Sequence, residues 1–263
     1  VAPVPLAEGL VAAWLCARDG LEVPPGILSL APRAELRRDG ERISGALKRV
    51  PWGAQAAAVL AEVEGRLVLL DSSAAEVSSG NNLAKEPRDT LRFDAVAPLA
   101  LGSQDRAGAV QRFGALARAC QIAGALELLV AESVQFANDR VQFGRPIGKF
   151  QAIQHQLAVL ASETAAARAA AGSACLVADG PDPAFEIAVA KVRCGEAAGQ
   201  GARIAHAVHG AIGFTYEHAL HFATRRLWSW RSEFGAESHW SDVLGGEALA
   251  RGADQLWDYV SAR

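Results

Sequence analysis

No methionine occurs anywhere in the 263 residues. The chain is therefore expected not to begin at its natural initiator, with residues missing upstream of Val1. Cysteine is also scarce: Cys16, Cys120, Cys175 and Cys194 are widely scattered and form no C-x-x-C pair. That spacing argues against zinc and redox motifs and predicts buried, reduced thiols in a cytoplasmic protein. A basic surplus is missing too. With 26 Lys and Arg against 29 Asp and Glu, the net charge of -3 leaves nothing to neutralise nucleic-acid phosphates. No run approaches the roughly 18 uncharged apolar residues of a membrane helix. The start, with Pro3 and Pro5, lacks the basic segment of a signal peptide. No G-x-G-x-x-G follows a strand pattern, which argues against a Rossmann site.

The chain has 51% hydrophobic and 21% charged residues, an ordinary composition for a globular protein. Three zones are legible. Residues 1–23 contain one helical pattern, with Leu6, Leu10 and Trp14 in register and Asp19-Gly20 as its stop. Residues 24–100 change character: short apolar runs at 27–31, 57–63 and 66–70 are separated by Asp39-Gly40, Glu64-Gly65 and residues 79–82. Turn residues at such intervals predict a small antiparallel β domain. Residues 101–263 read as a helical bundle. Its helices are expected at 105–140, from Pro146 to before Asp179, at 184–208, 216–233 and about 240–259. In the first, Phe113, Ala117, Cys120, Gly124, Ala131 and Val134 fall near one face; in the second the stripe is Phe150, Ile153, Leu157, Leu160 and Thr164. The fold class is thus α+β.

The most informative segment is Arg140 to Gln151, reading RVQFGRPIGKFQ. A helical pattern ends at Arg140, a turn containing Phe143-Gly144 follows, and Pro146 is placed to restart a helix. Arginine offers a planar fork suited to pyrophosphate oxygens, and glutamine can read a heterocycle edge. As plain structure, Arg140 is a charge favourable to a helix C-terminus and Gln151 a surface residue. A second segment, His209 to His218 (HGAIGFTYEH), lies between two helices, and its glycines allow close backbone approach.

These segments resemble the acyl-CoA dehydrogenase family, flavoproteins that desaturate acyl-CoA thioesters. The likeness covers about residues 24–260 and is strongest at 138–158 and 205–226. It rests on the R-x-x-F-G motif at Arg140, Gln142, Phe143 and Gly144, and on Phe150-Gln151 and Ile153 to Ala158. In the family that arginine reaches FAD phosphates across a subunit interface. The resemblance therefore implies FAD as cofactor, with Arg140, Gln142, Phe143, Gln151 and Gly210 as binding residues. In the family's Q-x-x-G-G-x-G-F segment, this chain keeps Gly210, Gly213 and Phe214 but carries Ala207 and Ala211. The stretch Leu47 to Gly53 resembles the strand whose aromatic residue flanks the flavin ring. This places Trp52 either there or in the barrel core. Ser29 to Pro32 stands where the family has T-E-P-x-x-G-S, in degraded form.

Desaturation needs a carboxylate that removes the α proton of the thioester. The two positions the family uses fall here on Phe234 and Gly114, neither acidic. Glu233, one residue earlier, is the candidate catalytic base, with a solvated glutamate near Arg231 as the alternative. His218 and His221 stand at a permissible metal spacing, but no Asp, Glu or Cys completes a zinc signature, and no metal is expected. Arg225 and Arg226 are expected to face CoA phosphates, an interface or solvent.

The resemblance implies an acyl-CoA dehydrogenase of lipid metabolism, or a subunit of one, with electron-transfer flavoprotein as acceptor. Gly-Phe-Thr-Tyr-Glu-His looks most like members that degrade steroid side chains or other bulky acyl-CoAs. Some of these pair two different subunits, only one of which carries the base. A homo- or hetero-oligomer is expected, with no nucleic acid or membrane partner. The second possibility is a catalytically inactive assembly subunit that keeps the fold without its own base.

Overall fold

A computed structural model describes residues 3–261. Two compact units emerge, the first ending at Ala117 and the second beginning at Arg118.

The first unit opens with α1 (Leu6–Arg18), which packs against β1 (Leu28–Leu30). Leu6 and Leu10 face solvent, and the helix instead buries Ala12, Leu15 and Cys16. Two four-stranded sheets follow. One has the order β1–β4–β5–β8, with β4 at Ala58–Val63, β5 at Arg66–Asp71 and β8 at Ala100–Leu101. The other has the order β2–β3–β7–β6, formed by Arg33–Asp39, Arg42–Pro51, Arg88–Val96 and Glu76–Ser78. All pairings are antiparallel except β1 with β4, which runs parallel.

The sheets share one apolar core. Val59, Ala61 and Val63 alternate inward from one sheet, and Ile43, Leu47, Leu91 and Phe93 meet them from the other. The β4–β5 hairpin turns on Glu64 and Gly65, both at positive φ (51° and 75°), the arrangement that matches strand twist. Arg49 (φ 58°) accompanies the register shift between Leu47 and Val50 and bends β3.

Glu62 accepts hydrogen bonds from the backbone N–H groups of Gly108 and Val110. It thereby satisfies two orphan donors where α2 (Ala109–Asp139) begins. By length and composition α2 is apolar enough to cross a membrane, yet 56% of its most apolar window is buried, as in a core helix. The face it buries is not the one the sequence indicated. Leu116, Ala119, Ile122, Leu126 and Leu129 are buried, whereas Cys120, Gly124, Ala131 and Val134 are exposed. In so alanine-rich a helix small apolar residues lie all round, and the long branched side chains decide the face.

The second unit contains most of α2 and then a two-residue hairpin, β9 (Val141–Gln142) and β10 (Arg145–Pro146). Pro146 thus ends a strand instead of starting a helix. A single 3-10 turn, Ile147–Lys149, intervenes before α3 (Gln151–Val177). The remaining helices are α4 (Ala184–His209), α5 (Leu220–Trp230), α6 (Glu237–Arg251) and α7 (Ala253–Ser261). The single helix expected over 240–259 is broken at Gly252, whose φ of 84° no helix accommodates. Beneath the hairpin, Ala137, Ile147, Leu160, Ile204 and Val208 form a core cluster.

Candidate functional site

Phe143 and Gly144 form the tip of the β9–β10 hairpin with φ of 52° and 80°. A bulky residue rarely adopts that conformation, and the Phe143 side chain is 92% exposed, so packing does not explain the strain. The Arg140 carbonyl accepts from Ile147 N–H at 2.8 Å, closing the base of the hairpin. Its guanidinium is left exposed. Arg145 lies 4.2 Å from the centroid of the Phe150 ring, a cation–π contact that braces the second strand.

Beside this hairpin, α4 ends at His209 and Gly210 turns the chain with φ of 62°, with open space where a side chain would stand. The two segments line one cavity of about 440 Å³. Arg140, Gln142, Phe143 and Gly210 all border it. Phe136, Phe150 and His209 are among the other residues that line it, and these the sequence had not assigned to the site. Position alone held the signal: Phe136 lies one turn before Arg140, and His209 directly precedes Gly210.

His209 is 4% exposed and stacked on Phe136, with ring centroids 4.3 Å apart. Its Nδ1 lies 2.8 Å from the Ala205 carbonyl and must donate to it. Burial lowers its pKa, although the Ala205 carbonyl pulls the other way. The ring is thus held neutral with a lone pair on Nε2, and that atom has no hydrogen-bond partner among the described residues. A buried acceptor of this kind awaits a donor.

Gln151 is exposed at the first turn of α3 and does not border the cavity. Trp52 belongs to the first unit. It is half-buried with φ of 48°, and its ring faces the Arg88 guanidinium at 5.3 Å. Ser29 donates to the Pro51 carbonyl and fixes the end of β3 beside it.

Glu233 lies away from the cavity. It is buried, and its carboxylate accepts from Arg118 Nε at 2.7 Å; Arg118 itself is 1% exposed. The Arg118 guanidinium also sits 5.5 Å from the Phe234 ring. Neither a solvated glutamate nor an open base describes this geometry. The histidines likewise have structural partners. His218 Nδ1 accepts from Leu220 N–H, His221 Nδ1 meets the His218 carbonyl, and His206 Nε2 meets Thr224 Oγ1. Among the described residues no group of three or more His, Cys, Asp or Glu could hold a metal ion. Arg226 is buried and donates to the Phe222 carbonyl of its own helix.

Residues 109–237 match the family described as acyl-CoA dehydrogenase, C-terminal domain. The chain is 39% identical over 112 residues to acyl-CoA dehydrogenase IpdE2 of Mycobacterium tuberculosis, covering 43% of this chain and 34% of that protein. It is 30% identical over 205 residues to acyl-CoA dehydrogenase FadE34 of the same organism, covering 75% of this chain and 28% of that one. The chain thus spans about a third of the length of these curated relatives. Its fold is that of the ChsE4–ChsE5 complex from Mycobacterium tuberculosis, with a TM-score of 0.86 at 23% identity over 96% of this chain and 77% of that chain. A variant of the Tcur3481–Tcur3483 steroid ACAD superposes with a TM-score of 0.84 at 25% identity, over 100% of this chain and 78% of that chain.

Proposed function

Since the chain belongs to the acyl-CoA dehydrogenase family, we propose that it is a subunit of a flavoprotein acyl-CoA dehydrogenase. In this reading it holds the dinucleotide of FAD, and a homologous partner subunit supplies the base. The observation that carries the proposal is the cavity that unites Arg140, Gln142 and Phe143 with His209 and Gly210.

The residues fit the cofactor. The exposed Arg140 fork suits pyrophosphate oxygens, and the open turn at Gly210 admits close backbone approach. The unpartnered His209 Nε2 would be available to accept a hydrogen bond from a hydroxyl or amino group of the bound dinucleotide. Phe143 and Phe150 offer apolar surface to a heterocycle. Gln151 and Trp52 remain candidate contacts: Gln151 toward a neighbouring subunit's ligand, Trp52 toward the flavin ring. When bound, FAD would accept the hydride leaving the β carbon of an acyl-CoA thioester, and electron-transfer flavoprotein would reoxidise it.

Proton abstraction is assigned outside this chain. Glu233 is buried in an ion pair with Arg118 and does not border the cavity, so it is not placed to reach a substrate held there. Phe234 and Gly114 occupy the other two candidate positions. Exposed aromatic side chains near the cavity support a shared site. Phe214 is 71% and Tyr216 79% exposed, a surface a partner would cover. ChsE4 and ChsE5 form a complex, and by likeness of fold a paired assembly is inferred here too. A cytoplasmic location agrees with an apolar α2 used in the core.

Purification alone and with a homologous subunit tests the proposal. Absorbance near about 450 nm, where oxidised flavin absorbs, is expected from the assembled protein. Arg140→Ala should weaken FAD retention at least about tenfold, as loss of a charge-assisted contact implies, with the unfolding midpoint unchanged. Protein that stays colourless with FAD, alone and assembled, refutes the reading.

A further inference from the structure

Cys120 and Cys175 are 55 residues apart in sequence, yet their Sγ atoms lie 3.4 Å from each other. Cys120 is on α2 and Cys175 near the end of α3, both in the second unit. Both are exposed and free, whereas Cys16 and Cys194 are buried. The sequence predicted buried, reduced thiols; the fold instead brings two of the four together at the surface.

We propose that Cys120 and Cys175 form an oxidisable dithiol, closed to a disulfide by a peroxide or a disulfide oxidant. A disulfide requires an S–S separation of about 2.05 Å. The sulfurs must therefore approach by roughly 1.3 Å. Space for the oxidant is present. Gly124 lies one turn beyond Cys120 and Gly172 about one turn before Cys175, and a methyl group added at either would meet nothing within 4 Å. Metal binding is the other chemistry open to paired thiols, but no third ligand stands with them among the described residues.

The steps balance. A Cys175 thiolate attacks one oxygen of hydrogen peroxide; the O–O bond breaks, hydroxide leaves and the sulfur becomes a sulfenic acid. The Cys120 sulfur then attacks that sulfur, the S–O bond breaks, and the thiol proton leaves with the departing hydroxide as water. In total two thiols and one peroxide give one disulfide and two waters. Partial desolvation, reinforced by contact with Cys175, raises the Cys120 thiol, and initiation by either sulfur gives the same disulfide. The inference does not depend on flavin binding.

The test uses the whole purified chain, reduced and then treated with hydrogen peroxide or oxidised glutathione. Expected are the loss of two of the four free thiols, a mass decrease of about 2 Da, and a cross-linked peptide joining Cys120 to Cys175. The melting midpoint should rise by roughly 5 °C or more, as closing a long loop predicts, and fall back with dithiothreitol. Cys120→Ser and Cys175→Ser should each abolish the cross-link and the shift. Independent oxidation of each sulfur to sulfinic acid, chain-to-chain dimers as the main product, or an unchanged cross-link in either variant would overturn it.

Discussion

Lys191 is fully buried, and its ammonium donates to the backbone carbonyls of Arg231 and Gly235. It thereby caps the end of α5 and the turn before α6 from the side of α4. Burial lowers its pKa to about 8, against attraction from Glu237. An unfolded lysine keeps its proton up to about 10.4. Between these two values the unfolded state binds more protons, so the stability contributed here rises as pH increases across that window. Below pH 8 both states are protonated and the desolvation cost of the folded charge is felt in full. Urea titrations at pH 8 and 10 should therefore show the native chain gaining on the order of 2–3 kcal/mol relative to Lys191→Met. Equal pH slopes for the two proteins would remove Lys191 as the cause.

Whole elements differ in how plainly they announce themselves. The stripe Ile153, Leu157 and Leu160 on α3 was legible because large side chains mark one face against a background of small ones. On α2 the alanines blurred that contrast and pointed to the wrong face. Pro146 misled for a different reason: it suits a first helical turn and the end of a strand equally, and the hairpin decides between them. The motif at Arg140 was visible as residues, but the cavity was not. It depends on His209 arriving from α4 at 58 to 69 residues' remove, which no local pattern records. The burial of Glu233 was equally hidden, since its partner Arg118 lies 115 residues away. The hairpin tip yields a prediction that separates folding from binding. Phe143→Asn replaces a residue that resists a positive φ with one that tolerates it, ahead of a glycine already suited to the turn. Stability should rise by about 0.5–1 kcal/mol while FAD retention falls. Denaturation and flavin content measured on the same sample decide it, and a rise in both would assign Phe143 no binding role.

At the scale of the molecule, the surface carrying Ile212, Phe214 and Tyr216 is more apolar than a solitary chain requires. If a homologous subunit covers it, Tyr216→Ser should weaken assembly by about tenfold or more, the loss typical of an aromatic anchor. The unfolding free energy of the isolated chain should stay within about 0.5 kcal/mol of the native one. Sedimentation of the mixed subunits reads the first effect and thermal melting the second; tight assembly by the variant would place the interface elsewhere. The fold class follows from composition and turn spacing, but which face meets a partner follows only from the folded surface.

The Arg118–Glu233 pair has a consequence for how such a chain can diverge. Each residue lies buried against the other, and breaking a buried ion pair by removing one partner typically costs about 3–5 kcal/mol. That is a large share of what holds an ordinary domain together. Replacing both with apolar residues of similar volume is by comparison nearly neutral. The two positions are therefore locked in epistasis: neither can drift alone, and descendants should carry both charges or neither.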